Sequence, residues 1–428
     1  MTELMRANEL IALLENGGLS SYESLYADLE HTKCRMIKAI RAFTENYGED
    51  RDIQIFSVPG RSEIIGNHTD HNHGKVMAGA INRDILAVVS KNDEGLIRFC
   101  SEGYSKDQIK ISDVSSPCNF KKFTSKALVA GMADAFIKAG HNIGGYDAYS
   151  CTEVAKGSGL SSSAAFEVMV GNILNHLYNG GNVDNKEIAK YAQYSENVYF
   201  GKPCGLMDQM ACAVGGFVYI DFEDNKNPVV ESVGFSLAEA GYSMCIVNTG
   251  GSHAGLNDDY AAVPGEMKSI ATLLGREVLR GLSEEEILAA IPFLRKRSGD
   301  RAILRALHFV RENERVGLAK DALKAGDLDR FYEIISASGR SSFQYLQNVY
   351  TNHNTFEQGI SLALCVADGA LAGKGGAFRV HGGGFAGTIQ AFVKNVELDG
   401  FVEKMDAVFG QGAATVLNIR PLGAVKLF

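Results

Sequence analysis

The spacing of hydrophobic positions changes along the chain and predicts different elements in different segments. In residues 1–48, Leu29, Met36, Ile40 and Phe43 recur at the three- to four-residue spacing of an amphipathic helix. From Asp52 the pattern becomes short apolar runs between turn residues, a pattern typical of strands: IQIFSV, KVMAGAI, DILAVVS and GLIRFC. We therefore expect a helical N-terminal extension, either docked on the rest or serving as an interaction arm, followed by a sheet.

The remainder of the chain mixes both patterns. Helices are predicted near residues 122–139, from residue 161 and from residue 184, and strands at residues 147–152, 215–222 and 242–248. At the helix from Asp184, that side chain could cap the helix while Glu187 bonds back to it, as in a capping box. Charged amphipathic helices follow to about residue 370, one of them opened by Ser283 with Glu286 three positions on. The last sixty residues predict strand, glycine turn, strand, helix and strand. Without a repeat or linker, the two halves are expected to share one interface.

Composition limits the class of protein. A chain of 428 residues predicts two or three domains, or one two-lobed unit. Its hydrophobic share of 46% and charged share of 22% are typical of a globular protein. Acidic residues outnumber basic ones, 51 to 42, for a net charge of −9. This balance disfavours nucleic acid or an anionic membrane as the main partner.

The cysteines and the N-terminal segment bear on the compartment. Eight cysteines are scattered without a CxxC pair, so they are expected to be reduced thiols in the core. The N-terminal segment contains acidic residues and has no uninterrupted apolar region typical of a signal peptide. No apolar stretch approaches the roughly 18 residues needed to span a bilayer. We expect a soluble, cytoplasmic protein.

The first segment with candidate chemistry is PGRSEIIGNHTDHNHG, residues 59–74. Its density of polar residues between two apolar strands favours a functional cleft, because buried polar groups need partners. His68, Asp70, His71 and His73 raise the possibility of a metal site, but their spacing matches no common zinc pattern and HExxH is absent. An ordinary surface loop is the alternative.

The second segment is VAKGSGLSSSAAFEV, residues 154–168. Gly157 and Gly159 permit close backbone approach, and three serines then lead into a helix whose first N–H groups lack partners. Oriented amides, hydroxyls and a positive helix end together make a phosphate-binding loop. The Walker A pattern is absent. A glycine turn followed by a serine N-cap is the alternative.

Two further segments contain a carboxylate or a glycine cluster. In ENVYFGKPCGLMDQM, Glu196 falls on the edge of an apolar helix side and Asp208 lies in an apolar stretch. Asp208 is therefore a candidate base or metal ligand, or else a helix cap. In GKGGAFRVHGGGFAGTIQAFV, residues 373–393, the glycines match the dinucleotide fingerprint, but a strand-like run follows instead of a helix. We expect a close-packed glycine turn and no Rossmann fold.

Together these segments resemble the galactokinases, within the superfamily of galacto-, homoserine, mevalonate and phosphomevalonate kinases. GRSEIIGNHTDHNHG is similar to the signature GR-x-N-L-I-G-E-H-T-D-Y-N. GSGLSSSA resembles the superfamily phosphate loop, CGLMDQ the segment with the catalytic aspartate, RVHGGGFAG the third motif, and NTGGSHAGLNDDY the segment ending in a sugar-contacting tyrosine. The resemblance runs from about Pro59 to the C-terminus. It implies an α+β, two-lobed sugar-kinase fold with mixed sheets and the active site between the lobes. The expected division is a helical extension at 1–48, an N-terminal lobe at 49–222 and a C-terminal lobe at 223–428.

The resemblance also implies the reaction and the roles of individual residues. It implies transfer of a phosphoryl group from MgATP to the anomeric hydroxyl of a hexose, with Asp208 accepting the hydroxyl proton and Arg61 pairing with Asp208 and the transferred group. Ser163 and Glu196 would bind Mg²⁺. The nucleotide phosphates would be held by Gly157, Ser158, Gly159, Leu160, Ser161, Ser162, Ser163 and Ala164. The sugar would be contacted by Asn67, His68, Asp70, Gly205 and Tyr260. A monomer or weak homodimer is expected.

Three positions depart from the signature. The glutamate that would accept the sugar 6-hydroxyl is Asn67 here, the signature asparagine is Glu63, and the tyrosine is His71. Losing a charged acceptor costs about 1.5–3 kcal/mol if nothing replaces it. Galactose is the expected substrate, and a C6-altered relative such as galacturonate is the competitor.

A protein of another class, a non-catalytic sugar and ATP sensor, is the second alternative. The chain retains the residues expected for phosphoryl transfer, namely Arg61, Ser163, Glu196 and Asp208. Because a sensor has less need of this complete set, its retention favours an enzyme.

Overall fold

Two β-sheets with helices packed against them organise the chain. The computed structural model of the protein describes residues 5–26, 28–154, 159–252 and 254–428. The elements up to residue 178 are β1 (Met5–Arg6), α1 (Ala7–Glu15), α2 (Leu29–Tyr47), β2 (Asp52–Ile65), β3 (Lys75–Asn92), β4 (Leu96–Ser101), β5 (Asp107–Lys110), α3 (Ser125–Lys138), β6 (Gly145–Thr152) and α4 (Ser162–Tyr178).

The elements that follow are mainly helical between residues 257 and 371. They are α5 (Asn185–Tyr194), a π-helical turn (Ser195–Phe200), α6 (Met207–Val214), β7 (Phe217–Asp221), β8 (Val229–Val233), β9 (Tyr242–Asn248), α7 (Asn257–Leu273), α8 (Glu284–Leu294), α9 (Asp300–Ala325), α10 (Leu328–Ser341), a second π-helical turn (Ser342–Leu346), α11 (Gly359–Leu371), β10 (Ala377–Val380), β11 (Thr388–Lys394), α12 (Leu398–Phe409), β12 (Ala414–Leu417) and β13 (Val425–Lys426).

The larger sheet is mixed and is built around the long strand β3. Its main order is β1-β2-β3-β6-β4-β5, with β13 paired to β2 and β7 paired to both β3 and β8. β4 and β6 run parallel, whereas β2 and β3 pair antiparallel with a register shift between Pro59 and Arg61. Because β8 pairs with β7, the sheet continues beyond residue 222. The division into lobes at that residue stays a prediction.

The smaller sheet and the helices of the second half complete the fold. Its strands pair antiparallel in the order β10-β11-β9-β12. One hydrophobic core contains residues from both sheets and from the helices between them, including Phe217, Phe331 and Phe392, all fully buried. The two halves therefore share a packed apolar interface, as expected. The mixed α and β content of the predicted fold class is confirmed.

The described part of the N-terminal segment packs on the larger sheet. Leu10 and Leu14 of α1 and Ile40 and Phe43 of α2 are buried together with apolar side chains of β2 and β3. Residues 5 and 6 form a short strand instead of the helix predicted there, because they pair with the start of β2. This segment is docked in the structure and is not an extended arm.

Local sequence signals had mixed outcomes. The helix start predicted at Ser283 is confirmed: its hydroxyl accepts from the Glu286 N–H and the Glu286 carboxylate accepts from the Ser283 N–H. Asp184 caps α5 as predicted, by accepting from the Lys186 N–H. The Glu187 carboxylate accepts from Lys190 instead of bonding back to Asp184, so the capping box predicted there was wrong. The runs KVMAGAI and DILAVVS form one strand, β3, because its two ends pair with different partners, β7 and β6.

The cysteines are all free, but they are not all core residues. Cys34, Cys118 and Cys365 are exposed, which corrects the expectation for those three. Among helices in the described ranges, none combines the length and the apolar character needed to cross a bilayer.

Candidate active site

An ion pair joins the strand of the first polar segment to helix α6. Arg61 lies in β2 and Asp208 in the first turn of α6. Nε and Nη2 of Arg61 lie 2.8 and 2.6 Å from Oδ1 of Asp208. The other carboxylate oxygen, Oδ2, accepts a hydrogen bond from the Ser161 hydroxyl at 2.5 Å. Residues from three distant parts of the sequence therefore meet at one carboxylate.

The surroundings of Asp208 favour its ionised form. Burial alone would raise its pKa, but the positive charge of Arg61 and the hydrogen bonds from Ser161 and Arg61 outweigh burial and lower the pKa below its ordinary value. The Asp208 side chain keeps 35% of its surface exposed, so a ligand can reach it. An accessible, ionised carboxylate at neutral pH can accept a proton from a hydroxyl group.

The serine loop lies directly against Arg61. Arg61 donates its backbone N–H to the Leu160 carbonyl at 3.1 Å and its Nη1–H to the Gly159 carbonyl. Ser161 adopts a left-handed conformation, φ 58°, and α4 begins at the next residue. The unpaired N–H groups of the first turn of α4 can bind an anion there. The predicted loop residues Gly157 and Ser158 lie outside the described residues.

Within this loop the predicted phosphate-binding residues divide into two groups. Leu160 and Ala164 are buried in the core and can contribute only backbone groups to a ligand. Ser161, Ser162 and Ser163 are partly exposed, so a ligand can reach these residues.

Ser163 and Glu196 form a candidate magnesium site. The Ser163 hydroxyl lies 3.5 Å from Oε1 of Glu196, and the Gln209 amide donates to Oε2 of Glu196 at 2.8 Å. Mg²⁺ prefers oxygen ligands and takes few of them from protein when phosphates supply others, so this pair fits it. Burial, and then the charge of Glu196, raise the pKa of nearby Glu167 well above its ordinary value.

The glycine turn of the third motif contacts three residues predicted to bind sugar. Nε2 of His68 lies 2.9 Å from the Gly383 carbonyl, and the Tyr260 hydroxyl donates to the Gly384 carbonyl at 2.7 Å. The amide of Asn67 donates to the Gly382 carbonyl at 2.5 Å. The turn therefore contacts residues from the loop after β2 and from α7.

Asp70 and Gly205 face each other at a polar pocket of about 340 Å³. A side-chain carbon added at Gly205 would lie 2.9 Å from Oδ2 of Asp70, so a larger residue there would make the Asp70 side chain shift. His71 lies on the wall of the same pocket, 3.6 Å from Asp70. In the part of the chain that the structure describes, no group of three or more His, Cys, Asp or Glu side chains is arranged to hold a metal ion.

A second pocket, of about 410 Å³, opens beside the start of α4. Ser162 and Ser163 lie at one end, and Phe99, Leu128 and Phe166 provide apolar walls. The sequence did not predict this pocket, because its walls come from β4, α3 and α4, and their residues form no motif.

Several residues that support the site were also missed. The buried imidazole of His381 lies 3.0 Å from the Ser62 hydroxyl and 2.9 Å from that of Thr388. Burial, and then the positive charge of Arg61, lower the pKa of His381 to about 3, so it is neutral. Asn348 donates to Oδ1 of Asn67 at 2.6 Å. His381 was visible within the third motif, whereas nothing near Asn348 in the sequence indicates a site.

Known protein families, relatives and solved structures match the parts of the chain that form this site. Two protein-family models match the chain. The model of the GHMP kinases N terminal domain matches residues 127–216, and the model of the galactokinase galactose-binding signature matches residues 41–91. Galactokinase of Streptomyces coelicolor is 31% identical over 86% of this chain and 91% of its own length. Galactokinase of Enterococcus faecalis is 31% identical over 90% of this chain and 98% of its own. The crystal structure of Lactococcus lactis galactokinase complexed with galactose superposes with a TM-score of 0.75, at 25% identity over 90% of this chain and 98% of that one.

The fold and the loop-flanked carboxylate define a kinase of the GHMP class, an enzyme that transfers a phosphoryl group to a small-molecule hydroxyl. ATP is the phosphoryl donor that this class implies. Within the class, the chain belongs to the galactokinase family.

Proposed function

We propose that the chain transfers the γ-phosphoryl group of ATP to the 1-hydroxyl of galactose, giving galactose 1-phosphate and ADP. The observation that carries this proposal is the junction of Arg61, Asp208 and Ser161, where a carboxylate with a lowered pKa lies beside the start of α4. A proton acceptor and an anion-binding helix end are the two groups that this reaction needs side by side.

The junction supports a direct transfer. As the sugar 1-oxygen attacks the γ-phosphorus, Asp208 accepts the hydroxyl proton and the bond from phosphorus to the β–γ bridging oxygen breaks, releasing ADP. Arg61 keeps Asp208 ionised and provides positive charge near the transferred group. Most of the catalysis then comes from positioning and electrostatics, because the phosphoryl group needs little covalent assistance.

The nucleotide would lie along the start of α4. The N–H groups of its first turn would bind the phosphates, and the pocket between Phe99, Leu128 and Phe166 is apolar enough for an adenine ring. Ser163 and Glu196 would hold Mg²⁺, which when bound offsets negative charge on the phosphate oxygens.

The sugar would lie between Asp208, the third-motif turn and the polar pocket. His68, Asp70 and Tyr260 would line this space: His68 and Tyr260 contact the third-motif turn, and Gly205 leaves room for the Asp70 carboxylate. A cytoplasmic location, the absence of nucleic-acid and membrane partners, and a monomeric or weakly dimeric state stay predictions from the sequence.

The test is ADP release from the full-length chain with MgATP and a panel of hexoses. We expect galactose to be phosphorylated, and Asp208→Asn to lower kcat by about 100-fold or more because the proton acceptor is lost. Sugar affinity, measured by calorimetry, should change little because the side-chain shape is kept. The exposed Asp93→Asn variant is the matched control and should behave as wild type.

Two outcomes would contradict the proposal. If kcat of Asp208→Asn stays within about threefold of wild type, Asp208 is not the proton acceptor. If the wild-type chain binds sugar and ATP without releasing ADP, it is a sensor instead of a kinase.

A further inference from the structure

Positions 63 and 67 have exchanged residue types relative to the galactokinase signature. The signature has asparagine at the first position and glutamate at the second, whereas this chain has Glu63 and Asn67. The two side chains touch: Nδ2 of Asn67 donates to Oε1 of Glu63 at 3.0 Å. The carboxylate and the amide are therefore both retained, in contact, with their positions reversed.

Asn67 has no donor left for a ligand. Both N–H groups of its amide are used, one on Glu63 and one on the Gly382 carbonyl, and its Oδ1 accepts from Asn348. The residue is 1% exposed. Its side chain holds the third-motif turn against β2, which is a structural role.

Glu63 is the member of the pair that a ligand can reach. Its side chain is 11% exposed. Oε1 accepts from Asn67 and lies 3.8 Å from Nη2 of Arg379, whereas within the described ranges Oε2 accepts no hydrogen bond. Glu63 is two residues from Arg61 in a regular stretch of β2, so both side chains point to the same face of the sheet.

We propose that Glu63, and not Asn67, is the carboxylate that accepts a hydrogen bond from the sugar 6-hydroxyl, and that it selects a neutral hexose against a uronate. This inference rests on the proposed function and deepens it. A free carboxylate oxygen forms a charge-assisted bond with a hydroxyl group. The same Glu63 carboxylate would repel the 6-carboxylate of galacturonate bound at this position, because two neighbouring negative charges destabilise each other.

The test compares galactose, 6-deoxygalactose and galacturonate in the full-length wild type and in Glu63→Gln. We expect Glu63→Gln to lower kcat/KM for galactose about 10- to 100-fold, mainly through KM, because a charge-assisted bond is lost. The value for 6-deoxygalactose should change less than about threefold, because that sugar lacks the hydroxyl. The galacturonate to galactose ratio should rise at least about tenfold. Glu49→Gln, an exposed glutamate remote from the site, is the matched control.

A second set of variants covers the case in which Glu63→Gln does not fold. Glu63→Asn and Asn67→Glu each break the carboxylate–amide pair, whereas the double variant restores the order of the signature. We expect the double variant to recover at least about tenfold in kcat/KM for galactose over either single variant, a coupling that independent positions would not show.

The outcomes separate this inference from the proposed function. A wild type that phosphorylates none of the hexoses overturns both. A wild type active on galactose whose preference over 6-deoxygalactose is the same in Glu63→Gln overturns the assignment of Glu63 alone. If the double variant has no higher kcat/KM for galactose than either single variant, residues 63 and 67 do not act as a pair.

Discussion

At the scale of single residues, the two oxygens of Asp208 have different partners. Oδ1 is held by Arg61 and Oδ2 by the Ser161 hydroxyl, which belongs to the loop before α4. Ser161 holds a left-handed backbone conformation that glycine adopts more readily. The hydroxyl therefore lowers the pKa of the proposed catalytic carboxylate at the cost of a strained backbone.

Replacing Ser161 should shift the acid limb of the pH profile. Loss of its hydrogen bond raises the pKa of Asp208 toward the ordinary carboxyl value, because that bond favours the ionised form. Activity needs the ionised form and is lost as pH falls through this pKa. The acid limb of kcat/KM in Ser161→Ala should therefore lie at higher pH than in wild type, measured by coupled ADP release.

Ser161→Gly is the matched control. It also lacks the hydroxyl, so its acid limb should move as far as that of Ser161→Ala. Glycine relieves the left-handed strain, so Ser161→Gly should be more stable than Ser161→Ala by about 1 kcal/mol in urea unfolding. Acid limbs that differ between the two variants would show that the backbone, and not the hydroxyl, controls the pKa.

At the scale of elements, the turn between β10 and β11 depends on close contact with the loop at residue 348. A side-chain carbon at Gly384 would lie 2.0 Å from the Asn348 carbonyl oxygen, whereas one at Gly382 would meet nothing within 4 Å. Both glycines have positive φ, 80° and 64°. The two positions thus share the backbone requirement and differ in the space around them.

Alanine at these two positions should have unequal effects. Gly382→Ala should lower the free energy of unfolding by about 1 kcal/mol, the cost of a left-handed alanine. Gly384→Ala should lower it by about 1–3 kcal/mol more, because the backbone must also move away from Asn348. Urea unfolding of both variants measures the difference. Equal losses would show that the contact with Asn348 contributes nothing.

The elements also differ in how far the sequence predicts them. The regular elements and the helix start at Ser283 followed from periodicity and from residue types with a local mechanism, and the same reasoning predicts the phosphate loop before α4. The junction at Asp208 was predicted from the resemblance, since spacing alone left Asp208 as base, ligand or cap. The pocket beside Phe166 and the role of Asn348 could not be predicted, because they depend on packing between distant segments.

At the scale of the whole molecule, one buried carboxylate ties together both ends of the described chain. Asp84 of β3 accepts hydrogen bonds from Arg35 of α2, from Ser57 of β2 and from the Tyr26 hydroxyl at 2.9 Å. Arg420, which is fully buried, lies 3.4 Å away. The network joins the N-terminal helices, the centre of the larger sheet and the segment after β12.

Asp84→Asn should destabilise the fold strongly. Burial alone would raise the pKa of Asp84, but the charges of Arg35 and Arg420 outweigh it and lower the pKa below its ordinary value. Removing the carboxylate leaves buried guanidinium charge uncompensated, at a cost of about 3–5 kcal/mol in urea unfolding.

The stability difference between wild type and Asp84→Asn should depend on pH. A lowered folded-state pKa means that the stabilisation is complete above the ordinary carboxyl pKa and is lost as pH falls through the folded-state value. The gap between wild type and Asp84→Asn should therefore be constant near neutral pH and shrink in acid. Asp50→Asn removes an exposed partner of Arg6 and should cost less than about 1 kcal/mol. A similar cost at both positions would contradict the structural role of Asp84.

The contact between residues 63 and 67 has a consequence for how such enzymes diverge. Changing one position alone produces either two carboxylates or two amides at a separation of about 3.0 Å. Two acids that close cannot both ionise, and two amides provide no charged acceptor. We therefore expect the residue types at the two positions to change together, because each single change loses the carboxylate–amide contact.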